Sequence, residues 1–342
     1  MLVTVGHLPS LLVMPVVSPV APDGRVVDYL RISVTDRCNE RCLYCMPEGY
    51  KGWQSRQDTL TDDEILRLVR VAASLGFRKF RVTGGEPLVR AGVVDLTRRI
   101  WEVPGVEDLG VSTNGLLLER LAVPLRQSGV RTVNISLDAL DPVVYRRVTG
   151  GDVARVLAGI DAALAAGFER VKLNCVLMRG INEHELWPLV EYAAARNCPL
   201  RLIELMPLTR RDVLDERNFF PIAEAMACLN QHDEIVPAEP GKFGHGPARY
   251  HRLKRTGALV GFIGALTETC FCERCNKLRI TADGKLRPCL GDALEFDLMA
   301  ALRGGADDDV IAVFRDALAR KPAAHGFRDI YQPARPMTAI GG

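Results

Sequence analysis

The stretch Tyr29-Leu30-Arg31-Ile32-Ser33-Val34-Thr35-Asp36-Arg37-Cys38-Asn39-Glu40-Arg41-Cys42-Leu43-Tyr44-Cys45-Met46-Pro47 sets a short run, apolar at every second position, directly against a loop carrying three cysteines. The alternation predicts a strand from Tyr29 to Val34. The cysteines follow as Cys, three residues, Cys, two residues, Cys. Three thiolates on one loop can each take one iron of a cubane cluster, which leaves the fourth iron without a protein ligand. An open coordination position is what a catalytic metal site requires. The alternative, a zinc knuckle, wants four ligands, usually as two pairs, and no histidine lies near this loop to complete the set.

Five more runs of strand character follow: Lys79 to Thr83, Leu109 to Ser112, Thr132 to Leu137, Val171 to Leu177 and Leu200 to Leu205. Amphipathic segments lie between them at Asp62 to Leu75, Gly92 to Trp101, Leu118 to Gln127, Val153 to Ala166 and Glu183 to Arg196. Thr61 or Asp62 can cap the first, and Gly76 and Gly167 stand where two of them should stop. Strands alternating with helices imply parallel βα units, and six units suggest an incomplete barrel of the TIM type. In such folds the chemistry belongs at the C-terminal ends of the strands. After Met206 the alternation lapses into a Pro- and charge-rich region and resumes at Ala258 to Leu266, so the expected division is an arm over 1–25, a barrel over 26–206 and a smaller region over 207–342.

The 342 residues are 48% hydrophobic, ample for a buried core, and 44 basic against 42 acidic residues leave a formal charge of only +2. That balance predicts no nucleic-acid or membrane partner, so any anion site must gather its cations locally. Residues 1–22 carry no Lys, Arg, Asp or Glu, but Pro9, Pro15, Pro19 and Pro22 interrupt them and no basic segment precedes them, so they read as an extended arm rather than a leader. Six of the ten cysteines fall in two clusters, which favours ligands over disulfides and a reducing, cytoplasmic setting.

The second cluster is Cys272-Glu273-Arg274-Cys275 and, after thirteen residues, Cys289. Cys270 could complete a zinc site or a four-thiolate cluster, and three ligands without it would again leave one iron open. Cys175, Cys198 and Cys228 read as small buried hydrophobes, and the six histidines form no ligand pair. In Gly84-Gly85-Glu86-Pro87, paired glycines let the backbone approach a ligand closely and a carboxylate can receive an ammonium group. Arg31, Lys79, Arg81, Lys172 and Arg201 place cations on four of the strands.

The first cysteine loop resembles the signature of the radical S-adenosylmethionine superfamily. The resemblance implies that the open iron is chelated by the amino and carboxylate groups of S-adenosylmethionine, whose sulfonium bond an electron breaks to give a 5′-deoxyadenosyl radical. Tyr44 matches the position beside the adenine, Gly85 falls in the segment for the methionyl amino group, and Ser136 and Met206 match further contacts of the same cofactor. From about residue 25 onward the chain resembles the GTP 3′,8-cyclase family (molybdenum cofactor biosynthesis protein A). Within that resemblance Cys38, Cys42 and Cys45 hold one [4Fe-4S] cluster, and Cys272, Cys275 and Cys289 hold a second whose open iron faces the purine.

Asn276-Lys277-Leu278-Arg279 matches the substrate-contacting stretch of the family, with Lys277 where the family commonly has Arg. Arg31, Lys79, Arg81, Lys172 and Arg201 match its GTP-binding positions, and Ser112 stands for the usual Thr. Gly246-Pro247-Ala248 and the terminal Gly341-Gly342 match as well, the latter implying a tail that reaches into the site. The implied reaction has the adenosyl radical abstract the ribose 3′ hydrogen of GTP, C3′ attack C8, and reduction give 3′,8-cyclo-7,8-dihydro-GTP. No protein side chain acts as catalyst in it. Implied partners are GTP, S-adenosylmethionine, an electron-donor protein and, downstream, cyclic pyranopterin monophosphate synthase; a homodimer stays open. Two other readings are a peptide-modifying radical enzyme with an auxiliary cluster and a non-catalytic zinc or redox-sensing protein.

Overall fold

The computed structural model describes residues 19–46, 52–208, 215–239, 246–327, 335 and 337–341. The expectations for the first eighteen residues, for Pro47 and for Gly342 lie outside them. Twelve strands form one sheet: β1 (Tyr29–Ser33), β2 (Lys79–Thr83), β3 (Asp108–Thr113), β4 (Thr132–Ser136), β5 (Arg170–Leu177), β6 (Leu200–Glu204), β7 (Ile235–Pro237), β8 (Arg249–Leu253), β9 (Leu259–Ile263), β10 (Lys277–Ile280), β11 (Lys285–Arg287) and β12 (Phe296–Asp297). Their spatial order is β12-β11-β10-β1-β2-β3-β4-β5-β6-β9-β8-β7. The ladders from β10 through β1 to β6 and on to β9 are all parallel. The six successive βα units form an incomplete TIM-like barrel, and one strand from beyond residue 206 extends it on either side. Residues beyond 206 thus share one sheet with the six units that precede them.

The helices are α1 (Asp62–Ser74), α2 (Val93–Trp101), α3 (Leu118–Gln127), α4 (Pro142–Thr149), α5 (Val153–Ala165), α6 (Leu186–Ala195), α7 (Ile222–His232), α8 (Met299–Gly304), α9 (Asp307–Ala319) and α10 (Met337–Ile340). Thr61 caps α1 reciprocally with Glu64: the Glu64 N–H donates to Thr61 Oγ1 at 3.2 Å and the Thr61 N–H to Glu64 Oε2 at 2.8 Å. Gly76 and Gly167 adopt φ of 96° and 73°, the left-handed conformation that lets the chain leave a helix. The amphipathic run from Glu183 divides into a tight turn at Glu183–Glu185 and then α6. Among the described residues no helix is long and apolar enough to cross a membrane.

The strand alternation sorts the side chains onto two faces. Leu30, Ile32, Phe80, Val82, Leu109, Val111, Val133, Ile135, Leu173, Leu200 and Leu202 join the helices in one continuous core, each at 1% exposure or less. Their neighbours in sequence, among them Arg31, Arg81, Ser112, Asn134, Lys172 and Arg201, face the concave side. The register sets Arg279, Arg31, Arg81, Gly110, Thr132 and Arg170 side by side across adjacent strands. Gly110 leaves a gap in this row. A Cβ there would lie 2.4 Å from Arg81 Nη2 and 2.6 Å from Thr132 Oγ1; without it, Arg81 Nη2 donates across the strand to Thr132 Oγ1 at 2.9 Å.

Candidate active site

A cavity of about 330 Å³ runs along the concave face of the barrel, within the size range of small-molecule sites. Cys38, Cys42 and Cys45 follow the C-terminal end of β1. Cys275 precedes β10, whose Lys277 pairs with Tyr29 at the opposite end of the same strand. The two cysteine loops therefore face opposite ends of a strand whose rise is ~13 Å. Cys272, Cys275 and Cys289 line the cavity directly; of the first loop, Tyr44 does.

The first loop is held from several sides. The Arg41 and Leu43 N–H groups donate to Thr149 O at 2.8 Å and Val148 O at 2.9 Å, at the end of α4. Tyr145 donates its hydroxyl to Glu40 Oε1 at 2.9 Å, and Tyr44 donates to Asp138 Oδ2 at 2.8 Å. Paired glycines are needed in the Gly84-Gly85 turn because it packs backbone to backbone on this loop. A Cβ at Gly85 would stand 2.2 Å from Arg37 O, and one at Gly84 2.5 Å from Thr35 O. The Glu86 carboxylate accepts from the Thr113 hydroxyl, the Asn114 N–H and the Leu88 N–H at 2.8, 2.7 and 3.0 Å, which clamps the turn to β3 and leaves acceptor capacity on Oε2. Gly85 itself gives its N–H to Thr35 O at 2.6 Å and does not line the cavity.

Burial raises the carboxyls of Glu40 to about 8, Glu86 to about 7 and Asp138 to about 6. The Cys38 thiol is pushed up to about 12 by burial and then by Glu86 and Glu40, and Cys42 and Cys45 are raised by burial and by nearby carboxylates and thiols. Thiolates here need a compensating cation, which iron supplies, so the donor set fits a cluster. Among the described residues no three Cys, His, Asp or Glu side chains converge to hold a single ion. A cubane does not ask for that convergence, since each sulfur binds its own iron.

Donors surround the second triplet. The His325 N–H donates to Cys272 Sγ at 3.3 Å, the Gly291 N–H donates to Cys289, and Lys321 Nζ lies 3.7 Å from Cys275 Sγ. Burial raises the Cys275 thiol, but Lys321, Lys277 and Arg279 more than offset it and leave it below its ordinary value. Cys270 does not line the cavity, and its sulfur sits 3.8 Å from Thr269 Oγ1.

Between the loops, eight cations line the cavity against the two carboxylates of Asp108 and Glu204 among the described residues. Arg31 is depressed by burial and then by Arg279, Arg81 and Arg201. Lys172 falls to about 7 through burial and then Arg201, Arg170 and Arg81, and Lys277 to about 7 through burial, Arg31 and Arg279. Several of the expected cations are already engaged: Arg201 Nε donates to Asn174 Oδ1 at 2.7 Å and Lys277 Nζ to Asn276 Oδ1 at 3.2 Å. Lys79 pairs with Asp28 at 2.7 Å, and Arg81 donates to Tyr29 Oη, Val111 O and Thr132 Oγ1. Glu204, 0% exposed, accepts from the Ile222, Leu266 and Thr267 N–H groups, so the chamber holds eight cations against at most two carboxylate charges. Such an excess of buried cations demands an anionic ligand.

Ser112, Ser136, Met206, Arg201, Lys277, Arg279, Gly246 and Pro247 line the same cavity. Gly341 does not line the cavity but touches a residue that does: its carbonyl accepts from Arg279 Nη1 at 2.6 Å, and at φ 81° a Cβ would stand 3.0 Å from Ser33 Cβ. Leu278 does not share the placement of its neighbours, since its side chain is 0% exposed in the core. Sequence reasoning missed Arg170, Asn134, Asn174 and Tyr29, which occupy the concave-facing positions of their strands, and Tyr250, whose ring lies 5.7 Å from Lys172 Nζ. The period-two pattern was the signal for the first four. Cys175 and Cys198 are buried as expected, whereas Cys228 is exposed. His325, given no role from sequence, lines the cavity.

The sequence pattern of the Radical SAM superfamily matches residues 32–193, and that of Molybdenum Cofactor Synthesis C matches residues 198–327. The chain is 44% identical over 321 residues to a GTP 3′,8-cyclase of Pelotomaculum thermopropionicum, covering 93% of this chain and 98% of that one. It is 44% identical over 325 residues to GTP 3′,8-cyclase 1 of Pseudomonas aeruginosa, with the same coverage. Among solved structures, Streptococcus suis SuiB bound to S-adenosylmethionine superposes with a TM-score of 0.61 at 14% identity, over 82% of this chain and 64% of that one, a likeness of fold. The cysteine loop at the barrel mouth, the cationic chamber and near-complete coverage by these relatives agree, and the chain belongs to the GTP 3′,8-cyclase family of the radical S-adenosylmethionine superfamily.

Proposed function

We propose that the chain is a GTP 3′,8-cyclase that carries GTP into molybdenum-cofactor assembly, with Cys38, Cys42 and Cys45 holding one [4Fe-4S] cluster and Cys272, Cys275 and Cys289 a second. The observation that carries this reading is the single cation-lined chamber running from the mouth that bears the first loop to the end where the second triplet opens into it. When bound, S-adenosylmethionine and the first cluster supply one-electron reduction and hydrogen-atom abstraction, chemistry that no side chain of the chamber offers.

The protein's own part is to bind, orient and exclude water. Tyr44, fixed by Asp138, and Ser136 and Met206 at the ends of β4 and β6 form the mouth side, where S-adenosylmethionine fits. Arg31, Lys172, Arg201, Lys277 and Arg279 suit a triphosphate, since guanidinium groups grip phosphate oxygens in pairs and ammonium groups act as point charges. Lys79 and Arg81 add to the cationic lining and also fix Asp28, Tyr29 and Thr132 around the site. Ser112 keeps a hydroxyl toward the chamber. Cys272, Cys275 and Cys289, which line the far end of the cavity, would hold the second cluster where the purine end fits. Reduction draws on an electron-donor protein, the product suits handover to a synthase, and both agree with a reducing cytoplasm.

The test is anaerobic reconstitution followed by incubation with S-adenosylmethionine, dithionite and GTP. The expected products are 5′-deoxyadenosine and a cyclised nucleotide, with Cys38→Ala abolishing both. Cleavage of S-adenosylmethionine that leaves GTP unchanged would favour a different substrate.

A further inference from the structure

Lys321, just beyond α9, is only 5% exposed. Its Nζ donates to Lys277 O at 2.8 Å and to Pro288 O at 2.7 Å, and it lies 3.7 Å from Cys275 Sγ. An ammonium has three donors and no acceptor, so these partners exhaust it. None of the salt bridges among the described residues involves Lys321. Two neutral carbonyls do not compensate a buried charge; a thiolate at Cys275 does.

The partners are also informative by position. Lys277 O belongs to the residue two beyond Cys275, and Pro288 O to the residue immediately before Cys289. One side chain thus joins the two segments that carry these cysteines. The collar continues through the same stretch. Pro322 O accepts from Arg25 Nη2 at 2.8 Å, and the His325 N–H donates to Cys272 Sγ at 3.3 Å. His325 is itself fixed: Nδ1 accepts from the Phe327 N–H at 3.2 Å, so Nε2 carries the hydrogen given to Ala265 O at 2.6 Å. Residues 321–327 lie outside the proposed cysteine triplet, yet they touch both Cys272 and Cys275.

Resting on the reading that the second triplet holds a cluster, we propose that Lys321 is its positioning residue: a fixed buried cation that registers the Cys275 and Cys289 arms and, through its contact with the Cys275 sulfur, favours the reduced, more negative state of that cluster. Donors and positive charge at cluster sulfurs raise the reduction potential, because reduction adds negative charge that they stabilise.

The experiment isolates the second cluster in the full-length Cys38→Ala/Cys42→Ala/Cys45→Ala background, reconstituted anaerobically and titrated by EPR, with and without Lys321→Met. Methionine keeps the length and apolar stem while removing charge and donors. The expected result is at least a tenfold fall in the reduced-to-oxidised ratio at the potential where the parent is half reduced, which for one electron is 59 mV. An unchanged potential with full iron would overturn the proposal. If Lys321→Met fails to hold the cluster, Lys321→Arg decides: restored iron supports the positioning role, and equal loss, in a chain that still melts cooperatively, refutes it. A parent background without iron would instead sink the two-cluster reading, and the inference with it.

Discussion

Raising the pH from 7 to 9 should weaken GTP binding steeply, and Lys172 should carry about one unit of that slope. Its ammonium sits at about 7, against an ordinary 10.5, because it is buried and faces Arg201, Arg170 and Arg81. A bound triphosphate reverses the sign of that environment and brings the value back toward the ordinary one. The sign then follows: below 7 the lysine is charged with or without GTP, whereas above 7 the free site must take up a proton to bind, so affinity falls as pH rises. Full restoration gives a loss of about fifty-fold between pH 7 and 9, or ~2.3 kcal/mol. The assay is calorimetric titration of the reconstituted protein with GTP in two buffers of different ionisation enthalpy, for wild type and Lys172→Met. The variant should bind more weakly at pH 7, show one unit less slope, and approach wild type only as the pH nears the ordinary lysine value of 10.5, where the bound ammonium also loses its proton. Parallel curves for the two proteins, or no proton uptake by wild type at pH 8, would refute the reasoning. The same depression makes wild-type folding more favourable as pH rises above 7, since the unfolded chain then holds the extra proton, so the two pH trends oppose each other.

Gly110→Ala should destabilise the fold by ~1.5–3 kcal/mol by driving Arg81 off Thr132, read by denaturant unfolding, and should be strongly non-additive with Thr132→Val; additive effects would mean the contact carries little. Cys270→Ala should leave iron content at the wild-type level while Cys289→Ala lowers it, measured by iron and sulfide analysis after reconstitution. Ending the chain at Ile340 removes the carbonyl that accepts from Arg279 and should reduce kcat/KM for GTP roughly ten- to a hundredfold, the worth of one charge-assisted hydrogen bond, with S-adenosylmethionine binding preserved.

The six central strands were legible because period-two alternation is a local property, and each agrees with expectation to within about a residue at either end. A one-residue shortfall still mattered: starting the fifth strand at Val171 excluded Arg170, which lines the chamber. Helix α4 was missed because Pro142 reads as a breaker, whereas it stands at the first helical position behind Asp141, whose carboxylate accepts from the Val143 and Val144 N–H groups at 2.8 and 2.9 Å. The two cysteine triplets stood out by their spacing, which is a local property of the sequence. Lys321 and His325 did not, because nothing near them in sequence reveals that a chain turn will lay them against sulfurs some forty to fifty residues earlier. The parallel seam of β10 on β1 was invisible for the same reason.

That seam has a bearing on biosynthesis. The side-chain amide of Asn276 donates to Asp28 Oδ1 at 2.8 Å across 248 residues, and β10 docks beside β1 in the same place. On the ribosome the first cysteine loop emerges early, but the wall that bounds the nucleotide chamber is laid only when the last fifth of the chain has been made. A nascent or proteolytically shortened polypeptide would keep the radical-forming half with its interior open to water. Because Tyr29–Ile32 pair with Lys277–Ile280, the later segment must be made before the chamber can shield a reaction from water.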